Sequence, residues 1–356
     1  MGALLRSGER VLVHMPAWLG DFVQAEPALR ALAEVDGIRL SIAAEERFLQ
    51  LLDERFPAAR RIPHPGRKAE EPRAWRAHDV AVLFSGSFRA AWLAFRAGVP
   101  RRIGWSRDGR GLLLTDRIAP ALERGAAPLG LGVVGRGRRF LPRPYGATCV
   151  ELLGLVGLAV RDARPRLAPT AAGEREAHER LDRLGFRGDE PFVLASVGGR
   201  AGSAKAVPAD VWAFSLDLLA REIDMPLLIV GGPGEEEIVR EVYARLARSK
   251  IAAAQGKPVA LSELVALCAR SRLVLAADSG PRHVAKATGA RVVTLFGPTD
   301  PRHGADHLEQ ERGVRVEVPC GPCHRERCPL EGGHHHCCMR SIDPDEVVAR
   351  AQELLE

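Results

Sequence analysis

Short apolar runs alternate along the chain with longer stretches in which apolar residues recur every three or four positions. Arg10–His14 (RVLVH), Arg39–Ala43 (RLSIA) and Asp79–Phe84 (DVAVLF) are too short for helices and read as buried strands. Phe22–Glu34 carries helical spacing between the first two. After Pro165 the rhythm begins again. Phe192–Val197 (FVLASV), Pro226–Val230 (PLLIV), Arg272–Ala277 (RLVLAA) and Arg291–Phe296 (RVVTLF) read as strands, and helices are predicted over Pro208–Arg221 and Glu235–Arg248. Such alternation gives parallel sheets covered by helices. Two rounds of it predict an α/β protein of two doubly wound, Rossmann-like domains facing each other, 1–165 and 166–356. The proline-rich segment Asp162–Pro169 (DARPRLAP) is the expected linker. Sheets of this class bind ligands at the carboxyl ends of their strands, so the site is expected in the cleft between the domains.

Composition adds limits. The 356 residues are 46% hydrophobic and 27% charged, which fits a folded globular chain. No apolar run approaches the roughly 18 residues of a membrane span. The start, MGALLRSGERVLVHMP, lacks the apolar core and cleavage site of a signal peptide. A cytoplasmic location is therefore expected, in which the seven cysteines are reduced or bind metal. The net charge of +6 is unevenly spread. Through Pro165 there are 26 basic and 17 acidic residues, against 25 and 28 beyond it. A basic half and a mildly acidic half suggest two different ligands.

Four motifs carry candidate chemistry. The strand Arg10–His14 leads into Trp18-Leu19-Gly20-Asp21. Asp21 reads either as a helix cap paired with Gln24 in a capping box or as a general base at a strand's carboxyl end. The helix N-terminus favours its charged form, making a weak base suited to an acceptor that loses its proton late. Asp278-Ser279-Gly280-Pro281-Arg282-His283 follows another strand, and Pro281 suits a first helical turn. The N–H groups there suit a diphosphate, Asp278 could hold sugar hydroxyls and His283 could reach a phosphate oxygen; the plainer reading is a turn and a helix start. One strand along lies the similar turn Leu295–Pro301 (LFGPTDP). The third motif pairs Gly198–Pro208, whose Lys205 supplies a point charge, with Gly231–Glu235, whose Glu235 could accept from ribose hydroxyls or simply begin a helix. No P-loop and no GxGxxG after the first strand are present. The fourth is a C-terminal cluster, Cys320-x2-Cys323-x4-Cys328-x8-Cys337-Cys338, interleaved with histidines. Cys320, Cys323, Cys328 and Cys337 are candidate ligands of a structural zinc; the alternative is a cluster of reduced thiols packing a loop.

In their order, these motifs resemble the heptosyltransferases of lipopolysaccharide assembly, glycosyltransferase family 9. The segments that carry the resemblance are PAWLGDFVQAEPALRAL, GGRAGSAKAVP, GGPGE, ALSELVALCARSRLVLAADSGPRHVAKATGA, VVTLFGPTDP and the cysteine-rich tail, which is similar to the type acting second on the inner core. The resemblance implies a GT-B architecture, with the acceptor on the N-terminal domain and ADP-heptose on the C-terminal one, and no cofactor in the reaction. It implies Asp21 as base and Lys205, Glu235, Asp278, Ser279, Gly280 and His283 as donor-binding residues. The family's Lys-Arg-Trp-Pro stands here as Lys205-Ala206-Val207-Pro208. Acceptor contacts are expected from Trp18, Arg101 and Arg102. Arg101–Arg143 holds ten arginines and three acidic residues, suited either to an acidic lipid A-core acceptor at the cytoplasmic surface of the inner membrane or to plain solvation. Nucleic acid is not expected, with aromatics at 5% and the basic residues far from the cysteines. The competing readings are a related glycosyltransferase with another donor or acceptor and a metal-binding regulatory protein.

Overall fold

Both halves of the chain fold around a six-stranded parallel sheet with the same strand order. The structure is a computed structural model that describes residues 4–52, 54–64, 73–122, 141–200, 202–246 and 251–356. The chain divides into two compact units, Met1–Pro165 with Arg302–Gly304, and Arg166–Pro301 with Ala305–Glu356.

The first unit runs β1 (Arg10–His14), α1 (Leu19–Ala33), β2 (Arg39–Ala44), α2 (Glu46–Leu49), β3 (Arg60–Pro63), β4 (Val80–Leu83), α3 (Phe88–Arg96), β5 (Arg101–Trp105), β6 (Asp116–Ile118) and α4 (Tyr145–Leu153). Its sheet order is β3-β2-β1-β4-β5-β6. The second unit runs α5 (Ala171–Arg183), β7 (Val193–Ser196), α6 (Ala209–Glu222), β8 (Leu227–Val230), α7 (Glu236–Tyr243), β9 (Ile251–Ala253), α8 (Leu261–Arg270), β10 (Leu273–Ala277), α9 (Gly280–Ala287), β11 (Arg291–Phe296), β12 (Glu311–Arg315), α10 (Cys337–Arg340) and α11 (Pro344–Leu355). Its order is β12-β11-β10-β7-β8-β9. Counted from its own first strand, each sheet has the Rossmann order, which reverses beside that strand and opens a ligand crevice there.

The central strands β4, β7, β8 and β10 are buried along their whole length, as expected when helices cover both faces. In the second unit Trp212 and Leu216 of α6 and Val347 and Ala351 of α11 close over Val193, Leu227 and Leu275. In the first, Trp75, Leu93 and Ala94 pack on Leu12, Ala81 and Leu83.

Strands β3, β5, β6, β9 and β12 carry too little apolar pattern to read from sequence. Four of the five are sheet edges, where short, charged strands such as RRIP, DRI and ERGVR resist pairing with other chains. Helix α1 begins at Leu19, three residues before the expected start. Trp18 is its N-cap and makes no side-chain cap bond, so Asp21 stands in the first turn and the expected capping box with Gln24 does not form. Gln24 is instead buried.

Candidate active site

In the second unit the strand order reverses between β7 and β10, and the two loops leaving their carboxyl ends meet. Lys205, on the loop after β7, donates its ammonium to Asp278 Oδ2 at 3.0 Å and to the Asp278 carbonyl at 3.1 Å. Thr299, in the turn after β11, donates to the same carboxylate oxygen at 2.6 Å. Asp278 Oδ1 accepts from Arg282 Nη1 at 2.8 Å. Arg282 lies one helical turn along α9 and is buried in a fork-to-fork pair with Glu311, Nη2 to Oε2 at 3.0 Å. Lys286 Nζ reaches Glu311 at 2.9 Å and Asp306 Oδ1 at 2.9 Å, and Thr294 donates to Glu311 at 2.6 Å.

Burial pushes the Asp278 carboxyl up, but Lys205 and Arg282 outweigh it and hold the group well below the usual carboxylate range. The same opposition brings Glu311 down to about 2, with Arg282 the main counterweight to burial. Both are ionised at neutral pH. Lys205, Thr299 and Arg282 occupy three of the roughly four acceptor sites of the Asp278 carboxylate. These contacts fix the Lys205 ammonium in place. That side chain stays 42% exposed, and an ammonium has three donors, two of them used here. The third is available to an anion.

Helix α9 begins at this point. Ser279 is its N-cap in extended conformation and its side chain makes no cap bond, and Pro281 sits in the first turn. Uncapped N–H groups at a positive dipole end suit a phosphate. Ser279 Oγ turns back to the Ala277 carbonyl. His283 is buried, and its imidazole is pushed down to about 3 by burial, then by Arg282. It offers a neutral ring, so of the two candidate phosphate-binding side chains Lys205 is the one that brings positive charge.

Glu235 is the N-cap residue of α7. Its Oε2 accepts from the Gly232 amide at 2.7 Å, and burial raises its pKa. The carboxylate lies directly over Gly198: a Cβ there would fall 1.7 Å from Oε2. A cavity of about 540 Å³ opens beside it, lined by Val197, Gly199, Ala206, Glu235, His336 and Arg340 among others. Ala206 and Val207 both line the cavity, and Val207 also joins the core.

The cysteine-rich segment borders this cavity through His335 and His336. The four expected ligands do not converge as one set. Cys320 and Cys337 bring their sulfurs to 3.8 Å, whereas Cys328 faces two histidines. Among the described residues, Cys328, His335 and His336 form the one group of three whose ligand atoms lie within 4.8 Å of one another. His336 sits at a left-handed φ of 55° and donates its amide to Cys328 Sγ at 3.3 Å. A non-glycine residue in that region marks a loop fixed by its surroundings. Sequence spacing marks the cysteines and the histidines among them but does not choose between them as ligands.

In the first unit Asp21 lies at the carboxyl end of β1, near the Tyr145 hydroxyl and the Cys149 thiol, whose ionisation its charge opposes. Trp18 beside it is 67% exposed. Tyr145 donates to the Phe84 carbonyl at 2.5 Å, tying α4 to the end of β4. Arg110, fully buried, donates from Nη1 to the carbonyls of Ser85 and Ser87 at 2.6 and 2.8 Å. Burial brings its pKa down to about 10. Gly104 makes room for it, since a Cβ there would lie 2.5 Å from Arg110 Nη2. At the end of β1, His14 packs edge-on to His64 and Trp75, and burial takes it down to about 3.

Arg101 and Arg102 are not brought to Asp21. Parallel register puts Arg101 level with Val80 and Val11, at the amino-terminal end of the sheet. Arg101 pairs with Asp116 at 3.0 Å, and Arg102 donates to the carbonyls of Val99, Pro100 and Leu113. Much of the arginine-rich stretch, including Arg124, Arg136, Arg138 and Arg139, lies outside the described residues.

Residues 73–334 match the model of glycosyltransferase family 9 (heptosyltransferase). The chain belongs to glycosyltransferase family 9. It is 24% identical to lipopolysaccharide heptosyltransferase 2 of Escherichia coli K12, covering 97% of this chain and 98% of that one. The crystal structure of a family 9 glycosyltransferase from Veillonella parvula aligns with a TM-score of 0.76 at 21% identity, over 99% of each chain. That of E. coli ADP-heptose lipopolysaccharide heptosyltransferase II aligns with a TM-score of 0.69 at 22% identity, over 97% of this chain and 98% of that one. The family is therefore represented here by a GT-B fold of two parallel sheets. Among the described residues no helix is long and apolar enough to cross a membrane.

Proposed function

We propose that this glycosyltransferase moves a heptose from ADP-heptose to a heptose of the lipopolysaccharide inner core, with inversion at the anomeric carbon. The observation that carries the donor half is the Lys205 ammonium fixed by Asp278 beside the uncapped start of α9. These groups receive the diphosphate, with His283 as a neutral hydrogen-bonding partner. Glu235, beside the cavity, accepts from the ribose hydroxyls. An acceptor hydroxyl gives its proton to the Asp21 carboxylate, its oxygen bonds to the anomeric carbon, and the bond from that carbon to ADP breaks. Stabilising the departing charge is the larger electrostatic task, and a lysine with a helix N-terminus supplies it. Trp18 lines the acceptor side. An acceptor borne on lipid A puts the enzyme at the cytoplasmic surface of the inner membrane. The names of its relatives support this choice of donor and acceptor.

Cys328, His335 and His336 offer one cysteine sulfur and two imidazole nitrogens, a donor set that suits zinc. A metal held there would pin the segment to the wall of the cavity and supply no chemistry to the transfer.

Asp21→Asn tests the base. The variant should bind ADP-heptose as the native enzyme does and transfer nothing; normal turnover, or loss of donor binding, overturns the role.

A further inference from the structure

We infer that the outer face of α3 is a docking surface for an anionic lipid bilayer. The inference deepens the proposed function and rests on it for the choice of a bilayer as partner. The surface is defined by burial. Helix α3 turns Ala90, Ala91, Leu93 and Ala94 into the core and leaves Phe88, Trp92 and Phe95 outward, 50%, 41% and 47% exposed. Positions i, i+4 and i+7 share one face, so the three rings form a stripe. The Trp92 and Phe95 rings are 6.0 Å apart and nearly parallel. The 3-10 turn Arg110–Leu113 packs beside α3 and adds Leu112, 89% exposed. A chain with only 5% aromatic residues has placed three of them, outward, on nine positions.

Charge selects the occupant. From Val80 to Arg107 the sequence has five arginines and no acidic residue. Two of these arginines lie on the rings: the guanidinium of Arg96 is 5.8 Å from the Trp92 centroid and that of Arg102 is 5.5 Å from Phe95. Apolar rings flanked by arginine match the boundary of a bilayer, where rings enter the acyl edge and guanidinium groups meet anionic headgroups. A protein partner would be matched to this patch by acidic side chains of its own; a second copy brings the same positive charge and is repelled. Arg96, exposed beside Trp92, is the arginine of this helix placed to meet headgroups; Arg89 lies near His64, and the Arg102 guanidinium is bound to backbone carbonyls.

Co-sedimentation with vesicles tests the surface. The native enzyme should bind phosphatidylcholine vesicles containing phosphatidylglycerol, bind pure phosphatidylcholine weakly, and lose binding as salt rises. The double variant Trp92→Ser, Phe95→Ser should lose at least about tenfold in partitioning. Arg96→Glu should lose binding to the anionic vesicles alone. The thermal midpoint of each variant is measured alongside, and Phe88→Ser serves as a further variant if the double one is unstable. Undiminished partitioning of folded variants overturns the proposal, as does a native dimer that the variants convert to monomer. Transfer to a delipidated heptose-bearing core oligosaccharide separates the two readings: folded variants should match the native rate on it. A native enzyme that binds vesicles and transfers no heptose defeats the proposed function and leaves the docking surface standing.

Discussion

Lys205 Nζ lies 3.0 Å from Asp278 Oδ2, joining the loops after β7 and β10 across the point where the strand order of the second sheet reverses. The pair is held from behind by Thr299 and by the buried Arg282–Glu311 fork. Lys205→Ala should leave the fold intact, because the lysine is partly exposed, and weaken ADP binding by at least about tenfold, roughly the contribution of one charge-assisted hydrogen bond. Calorimetric titration with ADP checks this; unchanged affinity removes the lysine from the phosphate site.

The fork behind that pair is a stability element. Arg282 and Glu311 are each about 2% exposed, and removing one member of a buried pair costs about 3–5 kcal/mol. Glu311→Gln should lower the unfolding free energy, read from urea denaturation, by an amount in that range, with Lys286 and Arg282 left facing a neutral amide. A loss under about 1 kcal/mol would mean that solvent reaches the network.

Gly198 offers a test of Glu235 that leaves the carboxylate in place. In Gly198→Ala the new Cβ would fall on Glu235 Oε2, and the end of that side chain must swing away from the Gly232 amide. The expected result is a severalfold rise in KM for ADP-heptose, kcat little changed and a near-native thermal midpoint. An unchanged KM argues against contact between Glu235 and the donor.

Two buried histidines give stability a definite pH dependence. His14 and His283 have pKa values near 3 in the folded chain against 6.5 for the ordinary side chain. As pH falls below about 6.5 the unfolded chain takes up protons at both positions that the folded chain refuses until about pH 3, so stability declines across that window. Thermal midpoints measured from pH 7.5 to 5 should fall, and His14→Asn should flatten the slope. A midpoint that rises on acidification contradicts the buried neutral state of both rings.

The metal reading predicts about one zinc per chain in protein purified without chelator. Cys328→Ser should lose the metal, and Cys323→Ser should retain it. Retention by the Cys328 variant would return the site to the cysteine set suggested by spacing.

The central strands and the loops after them were legible in the sequence because burial on both faces forces uninterrupted apolar runs such as RVLVH and RLVLAA. Edge strands β3, β6 and β12 are not, since charge that protects an edge erases the pattern, and edge strand β9 is only three residues long. The same division holds at the site. Lys205, Asp278 and His283 lie beside glycine-rich turns at strand ends, which mark them. Glu311 lies on edge strand β12 and reaches the site through Arg282, a relationship that spacing along the chain cannot express. Asp278 is recognisable as important, but the partners that hold it come from the loop after β7, the turn after β11 and helix α9, which spacing does not bring together. Arg110 belongs with Glu311: its fit depends on Gly104 and on two carbonyls in the loop after β4.

Mass spectrometry of a defined one-heptose core acceptor, incubated with the enzyme and ADP-heptose, tests the central claim most directly. The account predicts an acceptor heavier by one heptose, formed by the native enzyme and not by Asp21→Asn. An unmodified acceptor, or equal transfer by the asparagine variant, contradicts it.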